Sequence, residues 1–271
     1  MKKVSTEDLA AYRKNGYHIE RGVFTRDEMK ELARKFDEFA AARKPVPGSW
    51  DLAPDAETST DPLARFPRVM HPHRFLDFSR KAYLDPRVKG LLASLLNDEP
   101  IAIQSMFYWK PPGARGQAFH QDNYYARVKP YSCIAGWVAV DPATPENGGL
   151  YVVPGTQDME IKCPEIGDTT KSFIPEHIPI PEGLTPIPAV LEPGDILFFE
   201  GNIVHGSNPN ISQTTWRRSH VCHYIPRSAS HLSRYFMPVL DFDGNEMTGY
   251  EPNGDVGPCG GKEGTQELVL A

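Results

Sequence analysis

The chain changes character at Glu99-Pro100, and that change constrains the fold more than any other feature. Beyond it, the sequence breaks into short runs rich in β-branched and aromatic residues: IAIQSMFYW, YSCIAGWVAV, LYVVP, AVLEP, DILFFEG and TWRRSHVCHYI. Proline, glycine or asparagine separates them, which is the pattern of several strands joined by turns. Before it, helical spacing dominates. Ser5 caps a polar helix through Lys14, stopped at Asn15-Gly16, and Tyr17 to Phe24 reads as a short strand. Thr25-Arg26-Asp27-Glu28 is a capping box, and Met29, Leu32, Phe36 and Phe39 recur on one face of the helix it opens. Residues 44–67 form an irregular loop or flap, and two more helices follow, Phe75 to Tyr83 and Pro86 to Leu96. Helices followed by strands predict a mainly β fold with helices buttressing a sandwich or jelly-roll core. The expected organisation is a single domain over 1–271. Residues 1–98 give mostly helical support, 99–226 the β core, and 227–271 a turn-rich C-terminal wrap.

A chain of 271 residues with 40% hydrophobic content can bury one large core of this kind. Its net charge of −6 offers no basic face for nucleic acid. No apolar run has the length of a membrane helix, and no apolar leader follows Lys2-Lys3, so the expectation is a soluble, cytoplasmic protein. The 4 cysteines are scattered and suggest no disulfide framework; Cys133 and Cys222 read as buried thiols.

The stretch FHQDNYY places His120 and Asp122 at i and i+2. If FHQD ends a strand, both side chains point to one face and offer an imidazole and a carboxylate to a metal. His205, at the end of GDILFFEGNIVHGSNPN, supplies a second imidazole from a buried strand. Two histidines and one carboxylate with open positions form the facial triad of non-haem Fe(II) oxygenases. In TWRRSHVCHYI, alternation puts Arg217, Ser219, Val221 and His223 on one face and Arg218, His220 and Cys222 on the other. An inward arginine needs an anion, and its planar fork suits a carboxylate. Ser207, two residues after His205, adds a hydroxyl. A triad with a nearby carboxylate clamp is the chemistry that 2-oxoglutarate requires. The readings that compete are a zinc- or manganese-dependent hydrolase or isomerase on the same fold, and a non-catalytic small-molecule binder.

With these residues in view, the chain resembles the phytanoyl-CoA dioxygenase family, which includes ectoine hydroxylase. KNGYHIERGVFTRDEM, IQSMFYWKPPG leading into HQD, WVAVDPATPENGGLYVVPGT, and GDILFFEGNIVHGSNPN followed by WRRSHVCHY carry the likeness. The resemblance implies a double-stranded β-helix, a jelly-roll variant of the cupin kind, backed by N-terminal helices. It implies an oxidoreductase using Fe(II), 2-oxoglutarate and O2, with His120, Asp122 and His205 holding iron. Arg217 and Ser207 would take the far carboxylate of 2-oxoglutarate, and Trp137, Tyr108, Met106 and Arg68 would lie along the co-substrate. The interval from His205 to Arg217 is one residue longer than the family's, which makes Arg218 a rival clamp that strand parity disfavours. A carboxylate at position 122 implies hydroxylation, since related halogenases carry a small residue there. Asn123, Tyr124, Tyr125, Lys110 and His71 or His73 are the expected substrate contacts. They suit a small polar metabolite such as an amino acid derivative or aminophosphonate. The expected assembly is a monomer or small homo-oligomer, with no membrane or nucleic-acid partner.

Overall fold

The computed structural model describes residues 2–130, 132–253 and 259. The N-terminal support contains α1 (Thr6–Asn15), β1 (Tyr17–Glu20), α2 (Arg26–Ala41), α3 (Pro62–Arg65), β2 (Val69–Met70), α4 (Asp77–Tyr83) and α5 (Pro86–Leu96). The capping box at Thr25 is formed in both directions: Glu28 N donates to Thr25 Oγ1 at 3.2 Å and Thr25 N to Glu28 Oε2 at 2.7 Å. Gly16 closes α1 in the left-handed region, at φ 79°. The strand expected from Tyr17 to Phe24 ends at Glu20, where the chain turns through Arg21-Gly22.

Two antiparallel sheets follow, with two outlying strand pairs, β7 (Glu165–Ile166) with β8 (Glu176–His177) and β13 (His231–Leu232) with β16 (Glu251–Pro252). The large one joins β3 (Pro100–Tyr108), β5 (Ile134–Ala139), β10 (Ile196–Glu200), β12 (Ser219–Pro226), β14 (Val239–Leu240) and β15 (Glu246–Met247) to β1 and β2, in the order β1-β10-β5-β12-β3-β14-β15 with β2 beside β3. The smaller holds β4 (Gln117–His120), β6 (Leu150–Val152), β9 (Ile187–Pro188) and β11 (His205–Ser207), in the order β4-β11-β6-β9. Ala189 to Pro193, expected to be a strand, makes only a bridge between Leu191 and Ala143, because β9 forms just before it. The expected C-terminal wrap beyond Asn253 lies outside the described residues, apart from Cys259. That cysteine is joined to Cys163 in a disulfide, a pair the scattered spacing hid because the partners are 96 residues apart. Cys133 and Cys222 are buried thiols, as expected. No helix among the described residues is long and apolar enough to cross a membrane.

Alternation along the large sheet decides what each face does. Ile134, Val138, Ile196, Phe198, Cys222 and Tyr224 face the helices, where Phe36 of α2 stacks on Phe107 at 3.7 Å between ring centroids. Ala135, Trp137, Leu197, Phe199 and Val221 face the small sheet. A mainly β sandwich with helices on one outer face is therefore the architecture, and the functional cavity opens between its sheets.

Two buried histidines hold α4 and the segment before it to the large sheet. His220 meets Ser79 Oγ at 3.1 Å, and His73 meets Ser105 Oγ at 2.7 Å. Burial pushes His220 down to about 4 and His73 down to about 3, from an ordinary 6.5. Between pH 6.5 and 4 the unfolded chain binds protons at these positions and the folded chain does not, so stability falls on acidification through that window. At about 1.4 kcal/mol per pKa unit, the loss amounts to several kcal/mol. Urea midpoints measured at pH 7 and pH 5 should differ accordingly, and His220→Gln should reduce the difference without abolishing it, because His73 still contributes.

Candidate active site

β4 ends at His120, directly opposite His205 of β11 in the antiparallel register. That pairing brings two imidazoles from residues 85 positions apart in sequence to 4.2 Å between ring centroids. Asp122 lies outside the strand, against expectation: it opens the short helix α6 (Asp122–Ala126). Gln121 between them keeps extended backbone, φ −118° and ψ 124°, so the alternation carries Asp122 to the same side as His120. The Gln121 side chain points the other way and is fully buried. It donates to Asn202 O at 2.7 Å and accepts from Lys162 N at 2.8 Å, tying the HQD turn to the segment leading into His205.

One ligand atom from each of His120, Asp122 and His205 lies within 4.8 Å of the others. Asp122 Oδ1 is 3.4 Å from His120 Nε2 and 3.5 Å from His205 Nε2. Both rings are fixed from behind: His120 Nδ1 donates to Ala118 O at 2.8 Å and His205 Nδ1 to Ile203 O at 3.0 Å. Those bonds place the proton on Nδ1 and leave the Nε2 lone pairs facing Asp122, the arrangement a metal needs. The Gln117 amide sits 3.1 Å from His120 Nε2. Asp122 Oδ2 accepts from His223 Nε2 at 2.9 Å, which turns Oδ1 toward the two histidines. Burial raises the Asp122 carboxyl, but His205, His223 and the hydrogen bonds outweigh it and hold it well below the usual carboxylate range. Burial pushes His205 down to about 4, against the pull of Asp122. At neutral pH Asp122 is therefore an anion and His205 a neutral imidazole, so neither has a proton to displace before taking a metal.

Arg217 sits just before β12, yet its backbone N and O each pair with Lys110 at 3.1 Å, so strand alternation extends to it. Its side chain is buried, donates to Ser219 Oγ at 2.7 Å and lies 5.2 Å from the centre of the Trp137 ring. Nε is buried without a hydrogen-bond partner among the described residues. Burial pushes this guanidinium down to about 10, which leaves it charged at neutral pH. Arg218 faces outward onto Asp141 and Asp37, at 2.7 Å and 2.5 Å, and takes no part in the cavity. Ser207 Oγ accepts from Lys110 Nζ at 2.9 Å and Gln117 N at 3.2 Å. Both lone pairs are thereby occupied, and the hydroxyl hydrogen remains to donate.

One cavity collects His120, Asp122, His205, Arg217, Ser207, Trp137, Tyr108, Met106 and Arg68. The expected substrate contacts fare differently. Asn123, Tyr124, Lys110 and His71 do not line it. Asn123 Oδ1 accepts from Val128 N at 2.9 Å, inside the turn after α6. The Lys110 ammonium donates to Gly148 O, Ser207 Oγ and Asn208 O, at 3.1, 2.9 and 2.6 Å. His71 is buried against Tyr235, and among the described residues neither ring nitrogen has a hydrogen-bond partner. Tyr125 does line the cavity, with Gln104, Gln117, Phe173, Tyr235 and His223. His223 was legible as a partner of Arg217 in strand parity; Gln104 and Tyr235 carried no local signal.

The model of the family described as phytanoyl-CoA dioxygenase (PhyH) matches residues 12–219, a stretch that holds His120, Asp122, His205, Ser207 and Arg217. The chain belongs to the phytanoyl-CoA dioxygenase family. Among relatives, phytanoyl-CoA dioxygenase 1 of Oryza sativa subsp. japonica is 31% identical over 134 residues, covering 49% of this chain and 48% of that protein. The chain thus spans about half the length of such curated relatives. Dioxygenase lolE1 of Epichloe uncinata is 28% identical over 223 residues, covering 80% of this chain and 81% of that one. Two solved structures share the fold. The EctD apoform from S. alaskensis has a TM-score of 0.67 at 22% identity, covering 92% of this chain and 84% of that one. The epimerase SnoN in complex with Fe3+, α-ketoglutarate and nogalamycin RO has a TM-score of 0.66 at 20% identity, covering 92% and 95%. The sheet sandwich of this family member is the double-stranded β-helix expected from its sequence.

Proposed function

We infer that the chain is an Fe(II)- and 2-oxoglutarate-dependent dioxygenase that hydroxylates an unactivated C–H bond of a small molecule. The observation that carries this reading is the meeting, in one buried cavity, of a two-histidine, one-aspartate donor set with the guanidinium of Arg217. The donor set fits iron: the Nδ1 protons are tied to backbone carbonyls, and Asp122 is turned by His223 to present one oxygen. The SnoN structure of the same fold, which holds Fe3+ and α-ketoglutarate, supports the same assignment. A zinc hydrolase would have no use for a buried arginine clamp behind the metal.

When bound, iron with 2-oxoglutarate and O2 supplies the oxidising chemistry, and 2-oxoglutarate leaves as succinate and CO2. The residues provide position. Arg217, with an unpaired buried Nε, and the Ser207 hydrogen form a cradle for the co-substrate's far carboxylate. Trp137 lies against the guanidinium, and Leu150, Phe199 and Val221 exclude water around it. Of the residues that suggested an amino acid derivative or aminophosphonate, Tyr125 lines the cavity, whereas Asn123, Lys110 and His71 are engaged or buried elsewhere and Tyr124 packs on Tyr125, so the support for that substrate class is reduced to one residue. The same reading takes the compartment as the cytoplasm; the Cys163–Cys259 link runs against it, since disulfides are rare there.

The test is anaerobic addition of Fe(II) and 2-oxoglutarate to the purified protein. A visible charge-transfer band that requires both additives supports the reading; a protein that binds zinc but gives no such band with iron sinks it. His223 provides a finer check. Replacing it with alanine frees the Asp122 carboxylate to rotate, and Fe(II) affinity should fall about 10–100-fold. Equilibrium competition with a chelator would measure this, and His223→Gln should recover part of the loss by restoring a donor.

A further inference from the structure

Beyond the inner cavity lies a second chamber of about 770 Å³, and Arg68, Tyr108, Phe173 and Tyr235 line both. These four form the throat between them. Three are aromatic, and the fourth, Arg68, lies over the Phe173 ring with 5.5 Å between its Cζ and the ring centre. The outer walls come from the 48–70 segment, including Leu63, Ala64, Phe66, Pro67 and Met70. A chamber of this size matches a drug-sized molecule rather than a single amino acid. Water held against such walls would be displaced by an apolar body at a gain.

Its charged groups favour one sign. Arg68, Arg115 and Arg234 line the chamber against Asp51 and Asp61. Asp61 is already paired with Arg115 at 2.6 Å; Asp51 accepts from Gly48 N at 2.9 Å and keeps its charge, so the balance is three guanidinium groups against two carboxylates. Arg234 is exposed, and among the described residues its guanidinium has no hydrogen-bond or ion-pair partner. Rings and guanidinium planes at the throat receive a flat conjugated system better than a flexible chain.

We propose that the outer chamber binds the substrate, a flat, ring-bearing carboxylate whose anionic end pairs with Arg234 while its ring body reaches through the throat. This rests on the inner cavity being the site of oxidation. Protein loaded anaerobically with Fe(II) and 2-oxoglutarate is titrated calorimetrically with 2-naphthoate, with 1-naphthylmethylammonium and with decanoate. The charge-transfer band is recorded in the same samples. The expected result is that 2-naphthoate binds more tightly than either comparison compound. Arg234→Glu should weaken it about tenfold, lost attraction and added repulsion each contributing about threefold, and Arg234→Lys should restore most of the affinity. Equal affinity for the naphthyl cation or for decanoate would overturn the assignment, as would an Arg234→Glu protein that binds 2-naphthoate as the unaltered protein does. If the band never forms but 2-naphthoate binding still depends on Arg234, the iron reading falls and the chamber assignment stands.

Discussion

Asp122→Ala is expected to abolish the Fe(II)–2-oxoglutarate charge-transfer band and succinate formation together. Removing the carboxylate leaves two imidazoles, and no other acidic side chain among the described residues lines the cavity to replace it. The loss of iron affinity should exceed the 10–100-fold that typifies a partner one shell further out. The apoprotein should also feel the change. His223 Nε2 loses its acceptor while Nδ1 is already buried with no partner among the described residues, and an orphaned buried donor costs about 1–3 kcal/mol. Asp122→Asn separates the two effects. Its amide oxygen can still accept from His223, so the denaturation midpoint should stay near that of the unaltered protein while the band is lost. Iron affinity retained in both variants, measured by chelator competition, would remove Asp122 from the donor set.

Arg217→Ala is expected to weaken 2-oxoglutarate binding by about 150- to 5,000-fold while leaving Fe(II) binding nearly intact. The guanidinium is buried, so a carboxylate entering the cavity without it is an unpaired buried charge, a situation that costs about 3–5 kcal/mol. Arg217→Lys should recover little, because an ammonium offers no bidentate fork and cannot stack on Trp137 in the same way. Ser207→Ala removes a single neutral donor, and a loss of about tenfold suffices for it. Dependence of the band on 2-oxoglutarate concentration gives all three numbers. If Arg218→Ala proved the more damaging change, the clamp assignment would be wrong; Arg218 instead belongs to the Asp141 and Asp37 ion pairs on the outer face.

The substrate side illustrates where reading along the chain misleads. Lys110, which follows a strand and precedes two prolines, is among the substrate contacts expected from the sequence. In the fold, three oxygens from Gly148, Ser207 and Asn208 close around its ammonium, and it supports Ser207 from behind. Asn123 stands next to Asp122 in sequence, but α6 starts at Asp122 and turns the Asn123 side chain to the helix's own end. Tyr235, by contrast, lies in a segment with no periodicity and still shapes the throat.

What the sequence alone determined was the local chemistry: the capping box of α2, the alternation that sends Arg217 inward and Arg218 outward, and the spacing that puts His120 and Asp122 on one side. These rest on periods of 3.6 and 2.0 residues, which neighbours in the chain impose on one another. Only the tertiary structure decided that His205 sits opposite His120, that His223 grips Asp122 across 101 residues, and that a segment before the first core strand walls a second chamber. Register between distant strands is set by which apolar face each must bury, a property of the whole packed core and of no single stretch.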